Sequence, residues 1–132
     1  MKSVGLSRLT PYLLSVLRIA AAVVYVAHGT QKLFGVPGHP FHAPVFAATL
    51  LFAAGVIETV GGTLMLLGLF TRPVAFVLSG QMAFAYFTQH APAGTWPILN
   101  GGELAVLYCF IWLFVCVAGP GPISLDALRG RR

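Results

Sequence analysis

The sequence predicts an all-α membrane protein, a bundle of four transmembrane helices that run up, down, up and down. The chain is 58% hydrophobic and only 8% charged, whereas a soluble domain carries roughly 25% charged residues. Four apolar segments each approach the length of about 20 residues that crosses a bilayer. Because these segments use most of the chain, we expect one integral membrane domain over residues 1–132, with no room for a soluble catalytic domain.

Turn-forming residues separate the four segments. Helices are expected over residues 12–34, 45–70, 73–90 and 100–118. The first ends at Gly35, before a stretch rich in proline and glycine. Thr71 is expected to cap the third helix, with Pro73 in its first turn, where proline is tolerated. The fourth stops at the Gly-Pro-Gly-Pro stretch 119–122, and Ser124 is expected to cap a short surface helix. Short loops make neighbouring helices antiparallel.

The positive charges outside the apolar segments lie where such a bundle meets one side of the membrane. They precede the first segment, separate the second from the third and follow the fourth: Lys2, Arg8, Arg72, Arg129, Arg131 and Arg132. The loops 36–44 and 91–98 contain no lysine or arginine. The positive-inside rule therefore places both termini in the cytoplasm. The net charge of +5 is a topology signal, and we expect contact with the lipid bilayer and not with nucleic acid.

Glu58, near the middle of the second segment, is the most informative of the few ionisable residues within the apolar segments. A carboxylate in hydrocarbon must be satisfied by another residue, by water or by a ligand. Glu58 shares one helical face with Gly55, Gly61 and Gly62. Because small residues let membrane helices approach closely, we expect this face to point into the bundle.

Nine residues are candidates for ligand binding or proton handling. They are Arg18, Tyr25, His28, Lys32, Glu58, Gln81, His90, Asn100 and Glu103. We expect Arg18, Glu58 and Gln81 to form a deeper layer and most of the others an outer layer. The estimated depths of Arg18 and Glu58 differ by about five residues, roughly 7 Å along a helix. An arginine can nearly bridge that distance, so an ion pair between Arg18 and Glu58 is the preferred interpretation.

Several candidates also have a purely structural interpretation. Arg18 could extend its charged head to the cytoplasmic surface. Glu58 could be protonated and hydrogen-bonded, since burial disfavours the charged form. Lys32 could anchor its helix at the interface, and Tyr25 could serve packing with a single hydrogen bond.

Two pairs at the outer end leave alternatives open. His28 and His90 lie at similar estimated heights and could bracket a haem, but hydrogen bonds to Glu103 explain both rings equally well, so haem is disfavoured. Glu103 lies three residues after Asn100, which is the spacing of a capping box. That spacing supports a capping role as well as a functional one.

The sequence shows no metal motif and no redox motif. His39 and His42 are loop residues and only a weak signal for a metal, so no metal site is expected. Cys109 and Cys116 are separated by roughly 10 Å of helical rise, which is too far for a disulfide. No intrinsic cofactor is therefore expected. A pocket of arginine, glutamate, glutamine, tyrosine and histidine could hold a quinone head group, a proton path or a small polar substrate.

The order of the polar and glycine motifs resembles a known family. The motifs are Arg18, HGTQKLFG at 28–35, ETVGG at 58–62, LGLFTR at 67–72, QMA at 81–83, His90, WP at 96–97, NGGE at 100–103 and GPGPISLD at 119–126. Together they resemble the DoxX family of small bacterial membrane proteins, over about residues 17–126.

The resemblance implies four membrane helices and a link to redox chemistry. The family is named for its likeness to the DoxD subunit of an archaeal thiosulfate:quinone oxidoreductase. One mycobacterial member is linked to a membrane complex with superoxide dismutase and a thiol-handling partner. The resemblance thus implies a subunit of, or accessory to, a quinone-linked membrane oxidoreductase, with a redox-enzyme partner supplying electrons.

Other functions stay open at this point. A proton-coupled small-molecule carrier and a membrane scaffold or assembly factor are the alternatives, and homo-oligomers are compatible with either. The family has no established catalytic residues to transfer, so the sequence leaves open whether the chain is itself an enzyme.

Overall fold

The computed structural model describes residues 4–39 and 45–130, and these residues form helices and turns with no strand. Four long helices are present: α1 (Thr10–Phe34), α2 (Val45–Leu67), α3 (Thr71–Ala85) and α4 (Glu103–Ala118). Shorter elements are a turn of helix at Val4–Ser7, a π-helical turn at Tyr86–His90, a 3-10 turn at Ala91–Ala93, a helical turn at Pro97–Asn100, and α5 (Leu125–Arg129). The predicted all-α class is confirmed. Lys2, His42, Arg131 and Arg132, used in the sequence predictions, lie outside the described residues.

The four long helices alternate in direction. Along the α1–α2 contact, Val26 lies opposite Gly62, and Leu33 lies opposite Gly55, so the two helices are antiparallel. The α3–α4 contact runs the same way, because Arg72 reaches the end of α4 and Ser79 bonds to Cys109 further back. These two hairpins are the most closely packed pairs, and α2 and α3 pack against each other less closely.

Small residues set the close approach within the first hairpin. A Cβ added to Gly29 would lie 2.5 Å from Thr59 Oγ1, and one added to Gly62 would lie 2.8 Å from a methyl carbon of Val26. Neither space admits a methyl group without a shift of the helices. Contacts of this kind are how membrane helices gain dispersion energy in the absence of a hydrophobic driving force.

The centre of the bundle is aromatic. Tyr25 meets Tyr108 edge-on at 4.9 Å between ring centroids and Trp112 at 5.4 Å. Met65 and Leu78 complete this core, and all five side chains are buried. The cluster joins all four helices at one level of the bundle.

Large apolar side chains also cover the outside of the bundle. Phe76 is 65% exposed and Val117 is 72% exposed, far more apolar surface than a soluble monomer presents. Two helical stretches, Gly5–Phe34 and Ala47–Leu67, are long and apolar enough to cross a membrane. With its π-helical turn, α3 reaches about 30 Å at the usual rise per residue, and α4 is a shorter apolar helix.

Several helix ends differ from their predicted positions. The second helix ends at Leu67 instead of residue 70, because Gly68 adopts a left-handed φ of 67°. Thr71 is the first residue of α3 and not its cap, and Phe70 precedes it with a φ of 51°. The fourth helix starts at Glu103 instead of residue 100. Gly101, with a left-handed φ of 73°, ends the helical turn Pro97–Asn100 and separates it from α4. Left-handed backbone ends helices in this way.

The end of the bundle that carries Arg8, Arg72 and Arg129, termed the basic end, is closed by capping contacts. Asp126 of α5 accepts hydrogen bonds from the backbone N–H groups of Phe70 (3.0 Å) and Thr71 (2.8 Å) at the start of α3. The N-terminus of a helix favours such a carboxylate. Ser124 caps α5 by accepting from the N–H of Ala127 at 3.1 Å, which confirms the predicted cap.

Candidate functional site

Glu58 lies at the centre of a polar network that joins three helices. Its carboxylate accepts from Lys32 Nζ of α1 at 2.5 Å and from Gln81 Nε2 of α3 at 3.0 Å. The Glu58 side chain is 3% exposed and that of Lys32 is 17% exposed. A buried carboxylate needs both a counter-charge and hydrogen bonds, and this arrangement supplies both.

Tyr25 fixes the orientation of the glutamine in this network. Its hydroxyl donates to Gln81 Oε1 at 2.8 Å. Because an amide oxygen only accepts, the amide nitrogen of Gln81 must face Glu58. The result is a directed chain from Tyr25 through Gln81 to Glu58, which Lys32 completes from the opposite side.

A cavity of about 680 Å³ adjoins this network. Its polar lining comes from all four long helices and from the π-helical turn: Tyr25, His28, Lys32, Glu58, Gln81, Thr88, Gln89, His90 and Tyr108. The remaining walls are largely apolar, with Leu50, Leu51, Ile57, Phe84 and Leu104 among them. A volume of this size lies within the range of about 300–1,000 Å³ that small-molecule sites occupy.

The cavity brings together six of the nine candidates proposed from sequence. These are Tyr25, His28, Lys32, Glu58, Gln81 and His90. The other three, Arg18, Asn100 and Glu103, do not line it. The deep and outer layers expected from sequence therefore merge into one site, since Lys32 of the expected outer layer contacts Glu58 of the expected deep layer.

The π-helical turn at Tyr86–His90 shapes one rim of the cavity, and sequence reasoning missed it. Wider turns of this kind are rare and often occur at functional sites. The turn carries Thr88, Gln89 and His90 to the cavity wall. Nothing in the local sequence signals it except the polar run itself. Tyr108 of the cavity was also missed, because an isolated tyrosine in an apolar helix looks like packing.

Comparison with known proteins places the chain in a family. The DoxX profile matches residues 13–91, which is more than half of the 132 residues. The chain belongs to the DoxX family. The matched region contains Lys32, Glu58, Gln81 and His90, so this part of the polar site lies within the family's shared segment. Tyr108 of α4 lies beyond it.

Two relatives extend the DoxX match over nearly the whole chain. An uncharacterized protein of Haemophilus influenzae is 44% identical over 126 residues, covering 92% of this chain and 94% of its own length. An inner membrane protein of Escherichia coli, YphA, is 26% identical over 125 residues, covering 88% of this chain and 89% of its own length. No solved structure matches.

Family and structure agree on the location of this DoxX protein. It carries helices long and apolar enough to span a bilayer, its exterior is apolar, and its relative YphA is an inner membrane protein. The protein is therefore a multi-pass protein of the inner membrane. The cytoplasmic placement of both termini stays a prediction from the charge distribution.

The expected ion pair between Arg18 and Glu58 is wrong. Arg18 is fully buried, and its guanidinium donates to four backbone carbonyls at the basic end: Met65, Leu66, Pro120 and Ile123. Gly29 of α1, and not a residue near Arg18, lies beside Glu58 and Thr59. Arg18 is eleven residues from Gly29, roughly 16 Å along the helix, which is too far to reach Glu58.

The guanidinium of Arg18 instead satisfies main-chain groups that a helix end leaves open. The last carbonyls of a helix have no partner within it and carry the negative end of its dipole. Met65 and Leu66 are such residues at the end of α2. Arg18 also fixes the turn after α4 through Pro120 at 2.9 Å. It neither pairs with a carboxylate nor extends to the surface.

Asn100 and Glu103 also differ from their expected roles. Asn100 holds the loop before α4: its Nδ2 donates to the carbonyl of Gly94 at 2.8 Å, and its Oδ1 accepts from the N–H of Gly102 at 2.8 Å. Of the two interpretations left open for Glu103, the capping box is wrong, because Gly102 occupies the cap position of α4. Glu103 is exposed, and His90 Nδ1 lies 3.2 Å from the carbonyl of Asn100 instead of facing Glu103.

Proposed function

We propose that this DoxX protein binds the head group of a quinone in its cavity and serves as the membrane subunit of, or an accessory to, a quinone-linked oxidoreductase. The observation that carries the proposal is the juxtaposition of Lys32, Glu58 and Gln81 at the wall of a largely apolar cavity of about 680 Å³. The redox link comes from family likeness, and the ligand class comes from the chemistry of the cavity.

The polar groups match what a quinone ring requires. The ring offers two carbonyl oxygens as hydrogen-bond acceptors. Lys32 has three N–H donors, of which one binds Glu58; among the described residues the other two have no acceptor, so they can bind a ligand. His90 binds the carbonyl of Asn100 through Nδ1, so a neutral ring keeps Nε2 as an acceptor for a quinol hydroxyl.

Proton and electron transfer have separate sources in this proposal. Reduction of a quinone to a quinol takes two electrons and two protons. Glu58 and the histidines His28 and His90 face the cavity and can supply or receive protons. The electrons come from a partner redox enzyme, because the sequence contains no redox motif such as C-x-x-C.

A proton-coupled carrier is the second candidate, and one observation favours it. Glu58 is a buried carboxylate inside a membrane bundle, and such residues often lie on ion paths. A carrier would also have to open the basic end, where Arg18 and Asp126 hold the helix ends together. A scaffold, the third alternative, would require neither Glu58 nor the cavity.

Tryptophan fluorescence provides a direct test of quinone binding. The chain has two tryptophans: Trp112 packs on Tyr25 and Tyr108, which line the cavity, and Trp96 is 68% exposed. A Trp96→Phe variant in nanodiscs leaves Trp112 as the reporter. We expect a soluble short-chain quinone to quench Trp112 saturably, beyond the linear quenching that partition into lipid causes.

Matched variants separate quenching by quinone bound in the cavity from quenching by quinone dissolved in the lipid. A Trp112→Phe protein, which reports from Trp96 alone, should show only the linear component. Glu58→Gln and Lys32→Met, each made in the Trp96→Phe background, should weaken the saturable component about tenfold, because each removes a charged hydrogen bond at the site. Equal, non-saturable quenching in all these proteins would contradict the proposed quinone site.

A further inference from the structure

A second concave feature lies on the lipid-facing surface between α2 and α3. It is a groove of about 360 Å³. Its walls include Val56, Ile57, Val60 and Leu64 from α2 and Val74 and Val77 from α3. Every side chain that lines it is apolar. Gly61 and Leu78 form its floor, where a Cβ on Gly61 would lie 2.6 Å from a methyl carbon of Leu78.

The groove continues the polar cavity along the same helix pair. On α2 the cavity lining ends at Glu58, and the groove lining extends from Val56 to Leu64. On α3 the cavity lining begins at Gln81, and the groove lining ends at Leu78. Ile57 lines both features. The cavity and the groove thus meet at Ile57 along α2 and α3, which pack against each other less closely than the helices of either hairpin. Together the two features pass from polar to apolar surroundings.

We propose that the ligand of the cavity is a membrane amphiphile with a long hydrocarbon tail, and that this tail leaves the cavity past Ile57 and lies in the groove between α2 and α3. This inference rests on the proposed quinone site and adds the tail as a recognised part of the ligand. The head group lies at Glu58 and Gln81, and the tail extends toward the basic end over Val60 and Val77.

Continuity with the cavity favours a ligand tail over other occupants of the groove. A bilayer acyl chain or a partner helix could cover an apolar groove, but neither requires that the groove continue into a polar site. A tail that emerges at Ile57 enters the groove without crossing the buried core, which Leu78 closes. The path also lets the ligand enter sideways from the bilayer.

The contribution of the groove is one of shape. A hydrocarbon tail is already in an apolar medium before it binds, so burial away from water contributes nothing. What the groove adds is a set of atom contacts, each weak and jointly sufficient for selectivity. Loss of about ten such contacts weakens binding roughly tenfold. The effect should appear for tailed ligands alone.

The experiment compares two probes on groove variants in nanodiscs. The probes are a benzoquinone without a side chain and the same ring with a long isoprenoid chain, both radiolabelled, with binding to empty nanodiscs subtracted. Val60→Trp and Val77→Phe fill the groove. Val60 is 56% exposed and tolerates the added ring, and Val23→Trp on α1, at a site 54% exposed, is the matched control outside the groove.

Three outcomes are distinguishable. In support, the native protein prefers the tailed quinone, both groove variants lose about tenfold in affinity for it, and the bare ring binds all proteins alike. The inference is overturned, with the quinone site intact, if the groove variants still prefer the tailed quinone. It is also overturned if they lose affinity for both probes equally. If neither probe binds the native protein, the proposed function fails, and the tail site fails with it.

Discussion

Lys32 Nζ lies 2.5 Å from Glu58 Oε2 and joins α1 to α2 at the wall of the cavity. The two partners are not equivalent. Glu58 is almost fully enclosed, with 3% of its side chain exposed, whereas Lys32 has 17% exposed and lines the same cavity. An aliphatic stem and a cavity-facing ammonium let Lys32 reach other acceptors. Glu58 has no such freedom. A substitution that removes the charge of Lys32 and one that removes the charge of Glu58 should therefore lower the free energy of unfolding by different amounts.

We expect Lys32→Met to destabilise the protein more than Glu58→Gln. The methionine variant leaves a buried carboxylate without its counter-charge, at a cost of about 3–5 kcal/mol. The glutamine variant leaves a lysine that can turn into the cavity, at a cost of about 1 kcal/mol or less. Thermal unfolding in detergent measures both. The double variant should recover part of the loss, and a double variant that is as unstable as the sum of the singles would refute the coupling.

Tyr25→Phe should affect the site more than Tyr108→Phe does. The Tyr25 hydroxyl donates to Gln81 Oε1 at 2.8 Å, whereas the Tyr108 hydroxyl donates to the carbonyl of Ala21 at 3.3 Å. Loss of the first bond costs about 1 kcal/mol and frees the amide of Gln81 to rotate away from Glu58. Quinone affinity and unfolding temperature are the measurements. Equal effects on quinone affinity would show that Gln81 does not need the tyrosine.

The fold was predictable from sequence because its signals are local. The lengths of the apolar segments and the turn residues at Gly35 and Gly119 mark four helices, and the spacing of Glu58 with glycines placed it inside the bundle. Which residues face each other across two helices depends on the vertical offset of those helices. That offset is set by close contacts such as Gly29 against Thr59, which a single sequence does not reveal.

The sequence predicted most of the polar residues that line the cavity, but not which of them contact each other. Counting residues placed Arg18 near Glu58, whereas the observed offset places Lys32 there. Arg18 was unpredictable for a second reason: its acceptors are backbone carbonyls, such as that of Pro120, and every residue carries one. The π-helical turn that brings His90 to the cavity has no sequence signature of its own.

Arg18→Lys should be strongly destabilising although it preserves the charge. The guanidinium donates to carbonyls at the ends of α2 and α4, with Pro120 at 2.9 Å and Leu66 at 3.1 Å. An ammonium lacks the planar fork that reaches several acceptors at once. Two or more buried carbonyls would lose their donors, at about 1–3 kcal/mol each. The exposed residue Arg8 provides the control, Arg8→Lys, which should unfold at the native temperature.

Limited proteolysis adds a local measurement to the Arg18 prediction. If Arg18 fixes the turn after α4, the Arg18→Lys variant should be cleaved within residues 119–124 well before its bundle unfolds. Cleavage there at the native rate would show that other contacts, such as the bond from Ile123 N–H to Ser15 Oγ at 3.2 Å, hold the turn alone.

Asp126 should make the basic end sensitive to acid. Burial by itself raises the pKa of the Asp126 carboxyl, but the backbone N–H groups of Thr71 and Phe70, with Arg129 nearby, outweigh burial and hold the pKa below its ordinary value of 3.8. A carboxyl with a lower pKa in the folded state contributes stability that is fully present above the unfolded pKa. That stability is lost as the pH falls through the folded pKa.

Asp126→Asn, measured by thermal unfolding against pH, tests this directly. From pH 7 to about pH 5 the native protein should exceed the variant by a constant margin of about 0.3–1 kcal/mol, the usual value of a carboxylate at a helix N-terminus. Below about pH 4, near the pKa of a free aspartate, the margin should shrink. Glu103→Gln, at an exposed position, is the control. A margin that is unchanged or larger at pH 3 would show that the charge of Asp126 does not stabilise the start of α3.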